Sequence, residues 1–162
     1  MHAEWIDVTT ETISLLLSGT DKPIVAVGTT SLRTLESLYW MGVKAYSDPS
    51  LKQVQLGQWE VYGEPLINTT LSAKEALTEL LNWMKRNALS RLFTQTQILI
   101  APGYQFKIVT ALVTNFHQPQ STLLLLVAAA VGADWRKIYD HALEHDFRFL
   151  SYGDGSLLFI TA

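Results

Sequence analysis

The sequence has 162 residues, 48% of them hydrophobic and 17% charged, no cysteine, and a formal net charge of −3. That balance fits a globular chain able to bury ~70% of its extended surface, and excludes a disordered tail. It also excludes disulfide staples, thiolate metal sites and cysteine nucleophiles, and supplies no broad positive field for nucleic acid.

Met1–Asp7 carry no apolar signal core. The longest apolar run, Leu123–Val131, falls well short of the ~20 residues that span a bilayer. The expected location is therefore the cytoplasm, with no membrane partner.

In chain order, Thr10–Leu17 reads as a short helix with Ile13, Leu16 and Leu17 on one face, and Asp21-Lys22-Pro23 breaks it. Ile24–Val27 reads as a buried strand ended by Gly28. Thr29, Thr30 and Ser31 are good helix N-caps, Leu32, Leu35 and Leu38 follow at helical spacing, and Gly42 is the expected stop. Ala45–Pro65, rich in turn formers, reads as loop plus a weak hairpin around Gln58–Tyr62. Ser72-Ala73-Lys74-Glu75 is a capping box, and Leu77, Leu80, Leu81 and Met84 continue a helix at about 72–87.

Gln97–Ala101 and Phe106–Thr114 read as strands. Leu123–Val131, dominated by Leu and Ala, predicts a buried helix opened by Ser121-Thr122 and ended by Gly132. Asp134 is placed to cap a helix through about His145, and Ser156–Ile160 reads as the last strand. The fold class is α/β, a mixed sheet flanked by helices. Residues 1–162 form one α/β domain or a fragment of a longer enzyme.

Three polar runs carry candidate chemistry. In Val27–Glu36 a strand feeds a helix through Gly28, Thr29, Thr30 and Ser31, so free backbone N–H groups and the positive helix end can hold a phosphate or carboxylate. Arg33 can add a bidentate contact. The alternative is a capped helix with Arg33 paired to Glu36 at i, i+3.

The second run, Thr114–Thr122, lies at a strand's C-terminal end, where α/β enzymes place ligands. Asn115 can donate and accept, and His117 can move a proton near neutral pH. Equally, Asn115 can satisfy turn backbone, His117 can pack as an ordinary loop histidine, and Ser121 can act only as an N-cap. In the third run, Phe147–Gly155, Asp154 and Tyr152 can hold a ribose or a base, or the glycines can simply mark a tight turn. His141 and His145 stand at i, i+4 without the carboxylate of a metalloprotease helix, so no metal site is expected.

Taken as an ordered set, Ala26–Ser37, Pro102-Gly103-Tyr104, Thr114-Asn115-Phe116-His117, Ser121-Thr122-Leu123-Leu124 and Ser151-Tyr152-Gly153-Asp154 carry a resemblance. The sequence resembles the C-terminal part of the S-adenosylmethionine:tRNA ribosyltransferase-isomerase family of queuosine synthesis, over most of 1–43 and 97–160. Met1-His2-Ala3-Glu4 is similar to an internal segment of that family.

The resemblance implies part of a larger α/β-barrel-like fold, with residues 44–96 as an insertion. It implies S-adenosylmethionine as a substrate, tRNA and an N-terminal half as partners, and no metal. It implies transfer and isomerisation of the ribosyl group onto 7-aminomethyl-7-deazaguanine in tRNA, giving epoxyqueuosine. On that model His117, Asn115 and Asp154 are catalytic, and Thr29, Thr30, Ser31, Arg33, Glu36, Tyr152 and Ser121 bind substrate. Family members usually carry Leu and Lys where this chain has Gln118 and Gln120, which removes one expected phosphate contact. The alternative is a non-catalytic fragment or nucleotide-binding module that keeps only the scaffold.

Overall fold

A computed structural model describes residues 2–161. They fall into two compact units: the chain up to Pro23 with Thr34–Ile98, and Ile24–Arg33 with the chain from Leu99 onward. The architecture is mixed α/β with helices flanking a mixed sheet, as the residue patterns imply.

In the first unit, β1 (Glu4–Thr9) pairs antiparallel with β3 (Arg91–Thr96), from Glu4 opposite Thr96 to Thr9 opposite Arg91. Ile6, Val8, Leu92 and Thr96 are buried, while Trp5 and Phe93 stack on the exposed face with ring centroids 4.6 Å apart. Helix α1 (Thr10–Ser18) starts where the Thr9 hydroxyl accepts the Thr12 N–H, and packs against α3 (Ala73–Arg86). The capping box at the start of α3 is complete. The Ser72 hydroxyl accepts from Glu75 N, and the Glu75 carboxylate accepts from Ser72 N. The helix buries Ala76, Leu77, Leu80, Trp83 and Met84.

Three expectations in this unit need correction. Gly42 does not stop a helix: α2 runs Thr29–Ser47 straight through it. Glycine is there for close packing, since a Cβ at Gly42 would lie 2.0 Å from the Ala76 carbonyl oxygen of α3. No hairpin forms around Gln58–Tyr62. The Glu60 carboxylate instead takes Lys44 Nζ and the Gly57 N–H, folding the segment into short 3-10 turns at Glu60–Tyr62 and Leu66–Asn68. Finally, the strand expected at Gln97–Ala101 lies upstream, at Arg91–Thr96. Ile98, Leu99 and Ile100 are buried without belonging to a strand, so apolarity there reports burial alone.

In the second unit, β2 (Val25–Val27) runs parallel to β4 (Ala111–Asn115), and β5 (Gly155–Phe159) runs antiparallel on the other side of β4, giving the order β2-β4-β5. The strand expected from Phe106 begins only at Ala111. Helix α4 (Thr122–Val131) is capped by the Ser121 hydroxyl, which accepts Leu124 N at 3.2 Å, and ends at Gly132 with φ +60°. Helix α5 (Trp135–Glu144) follows. Asp134 makes no capping bond to it; its carboxylate takes Lys137 Nζ at 2.8 Å instead. Phe116, Val127, Ala130, Val131, Tyr139, Ala142 and Leu158 form this unit's core.

Candidate active site

The carboxyl ends of the parallel pair β2 and β4 meet in the second unit, the position at which open α/β sheets bind ligands. Gly28 follows β2 directly. Its N–H extends the ladder to the Val113 carbonyl at 2.8 Å, and its carbonyl accepts Leu32 N as the first bond of α2. Its φ of +89° is what demands glycine, since a Cβ there would meet nothing within 4 Å. The strand therefore turns sharply into the helix, and Thr29, its first residue, lies at the strand ends.

A cavity of about 450 Å³ opens there, lined by Gly28, Thr29, Asn115, His117, Leu150 and Ser151 among others. His117 is half-buried at its edge. Its Nε2 lies 2.9 Å from the Thr114 hydroxyl, and its backbone N–H donates to the Tyr139 hydroxyl at 3.0 Å. Burial pushes the His117 pKa below the ordinary histidine value, so the ring is neutral at physiological pH and able to accept a proton. Burial raises the Tyr139 pKa, keeping its hydroxyl protonated.

The Phe147–Gly155 run wraps this end of the sheet. Asn115 Nδ2 donates to the Gly153 carbonyl at 3.1 Å, and Leu150 N donates to the Phe116 carbonyl at 2.9 Å. The Asp154 carboxylate accepts the Arg148 N–H at 2.8 Å and its guanidinium at 3.1 Å, and Arg148 holds its pKa low. Gly153 cannot carry a side chain, because a Cβ would lie 2.3 Å from the Arg148 carbonyl oxygen. These bonds place Ser151 and Leu150 at the cavity.

Of the residues singled out by sequence, Thr29, Asn115 and His117 come together around one cavity. Thr30 and Ser31 follow Thr29 on the exposed first turn of α2. Arg33 and Glu36 do not line the cavity; they are buried further along α2, at 4% and 0% exposure. Ser121 is engaged as the cap of α4. Asp154 is tied to Arg148, and Tyr152, at 96% exposure, stands in solvent away from the cavity lining.

Two contributors escaped sequence reading, Thr114 and Tyr139. Thr114 stands three residues before His117 on a strand end, a local signal for contact. Tyr139 lies on a helix 22 residues away and gives none. His141 and His145 stack at 4.0 Å on an exposed helix face. Among the described residues no group of three or more His, Asp or Glu is placed to hold a metal ion, and no helix is long and apolar enough to cross a membrane.

Comparison with known proteins gives this geometry its context. A family model described as queuosine biosynthesis protein matches residues 1–158. The chain is 37% identical over 162 residues to the S-adenosylmethionine:tRNA ribosyltransferase-isomerase of Cereibacter sphaeroides, covering 98% of this chain and 34% of that one. It is 34% identical over 161 residues to the protein of the same name from Burkholderia cenocepacia, with the same coverage. Among solved structures it is similar to S-adenosylmethionine tRNA ribosyltransferase from Thermotoga maritima, with TM-score 0.60 and 31% identity over 94% of this chain and 39% of that one. The chain thus spans about a third of the length of the curated relatives it matches.

Proposed function

The chain belongs to the queuosine biosynthesis protein family, and we propose that it supplies part of the site that transfers and isomerises the ribosyl group of S-adenosylmethionine onto 7-aminomethyl-7-deazaguanine in tRNA. The product is epoxyqueuosine, with adenine and methionine released. The observation that carries this reading is the neutral, anchored His117 at a cavity shared with Asn115 and the start of α2.

The chemistry asks for little beyond position and a base. The sulfonium of S-adenosylmethionine acidifies the adjoining 5′-carbon, and removal of one of its protons leaves an ylide that attacks the modified base. His117 is the proposed acceptor of that proton, because a half-buried neutral imidazole is an effective base near neutral pH. The first turn of α2, with Thr29, Thr30 and Ser31, is the proposed seat of the methionine carboxylate or a phosphate, using the positive end of the helix dipole.

Asn115 and Asp154 serve in this reading by shaping the Phe147–Gly155 loop, which brings Ser151 to the cavity. Tyr152, fully presented to solvent, is the proposed contact for a tRNA base. Arg33 and Glu36, buried along α2, position the substrate-binding turn. The remaining partner is polypeptide equivalent to the part of the relatives outside the match, and the proposed setting is the cytoplasm.

The test is adenine release from S-adenosylmethionine with precursor tRNA, using this chain joined to the part of a relative that lies outside the match. Turnover that His117→Ala leaves untouched would remove His117 from the reaction. No turnover from a folded assembly would favour a scaffold or nucleotide-binding role.

A further inference from the structure

The sheet β2-β4-β5 has two apolar faces, one buried across all three strands and the other exposed along its two outer strands. Ala26, Leu112 and Leu158 share one face and are 2%, 0% and 5% exposed, with Leu158 packed in the core among residues of α4 and α5. On the other face the register aligns Val27, Val113 and Leu157 in one row, and Val25, Ala111 and Phe159 in the next. Val25, Val27, Leu157 and Phe159 on the outer strands are 49%, 69%, 53% and 69% exposed, while Ala111 on the central strand is buried and Val113 partly so.

A solvated sheet face alternates polar residues with buried ones. These strands read Val-Ala-Val, Ala-Leu-Val-Thr-Asn and Gly-Ser-Leu-Leu-Phe, with no charge anywhere. The β2–β4 pair is moreover parallel, and parallel strands are characteristically buried on both faces. Continuous apolar surface of this kind marks a contact site.

The comparisons indicate what covers it. The match runs through 98% of this chain yet occupies only 34% of the relatives, so most of their length lies outside it. We infer that the exposed face of β2-β4-β5 is the docking surface for the polypeptide equivalent to that remainder, which presents an apolar face of its own. This inference rests on the reading that the chain is one part of a larger enzyme. It also bears on the site: Val27 and Val113 belong to this face and line the His117 cavity as well. A segment seated on the sheet therefore builds the missing wall of the cavity and excludes water from it.

This chain has no native cysteine, so its sheet face is directly readable by thiol labelling once any cysteine in the relative's portion of the chimera is replaced by serine. Leu157→Cys and Phe159→Cys are introduced into this chain, alone and as a chimera in which the chain replaces the matching third of the Cereibacter sphaeroides relative. Leu143→Cys, on exposed α5, is the control. Labelling of both sheet positions is expected to be fast in the isolated chain and about tenfold or more slower in the chimera, while Leu143→Cys changes little.

Equal labelling in both proteins, with the chimera folded by circular dichroism, would overturn the inference. Protection of the two positions in a dimer of the isolated chain would assign the face to a second copy and overturn it too. Adenine release, read on the same chimera, separates the two proposals. Protected thiols without release would sink the proposed reaction and leave the docking surface standing, whereas release with unprotected thiols would do the reverse.

Discussion

At His117 the Thr114 hydroxyl holds the ring at Nε2, and the Tyr139 hydroxyl accepts the backbone N–H. For the imidazole to act as a base, Nε2–H must donate to Thr114, leaving the Nδ1 lone pair for the substrate. Thr114→Val removes that partner. It is expected to mix the two tautomers in the nitrogen NMR spectrum and to lower adenine release by roughly tenfold or more, while Thr114→Ser preserves both. An unchanged tautomer in Thr114→Val would show that the contact does not orient the ring. Because the folded state resists protonating His117, the unfolded chain binds the extra proton as pH falls below about 6.5, the unperturbed histidine value. Stability should therefore decline through that range and level off below the depressed folded value. His117→Asn should flatten this part of the curve, as read from urea midpoints; a slope that survives the substitution would point to another group.

Elements held by local chemistry were legible in the sequence. The reciprocal Ser72–Glu75 cap and the Ser121 cap each close within three residues, so α3 and α4 begin where the residue pattern places them. Ser72→Ala is expected to cost about 1 kcal/mol of stability, measured by denaturant unfolding. The β1–β3 ribbon was illegible for the opposite reason. Its partners lie more than 80 residues apart, and Glu4–Thr9 carries too many polar residues to announce a strand until Arg91–Thr96 is set beside it. Gly42 shows the same limit. Helix propensity alone would make Gly42→Ala stabilising by about 0.5–1 kcal/mol. The Ala76 carbonyl 2.0 Å from the new Cβ reverses the sign, and the expected result is a loss of about 1–3 kcal/mol. A raised urea midpoint would mean that α2 and α3 can separate without cost.

For the whole molecule, the ordered motifs pointed to the family, and the family model and relatives show it. The site was legible only in part, since sequence spacing brings Thr29, Asn115 and His117 to strand ends but does not reveal which side chains are already engaged. Asp154 spends its carboxylate on Arg148, and Ser121 its hydroxyl on α4. The central claim is that His117 is the base of a ribosyl transfer completed by a larger assembly. It is tested most directly by adenine release from S-adenosylmethionine with precursor tRNA, comparing the chimera carrying this chain with its His117→Ala variant. The expected result is release by the former and a loss of about 10²–10⁴-fold in the variant, with S-adenosylmethionine binding retained. Equal release by the two proteins would contradict it.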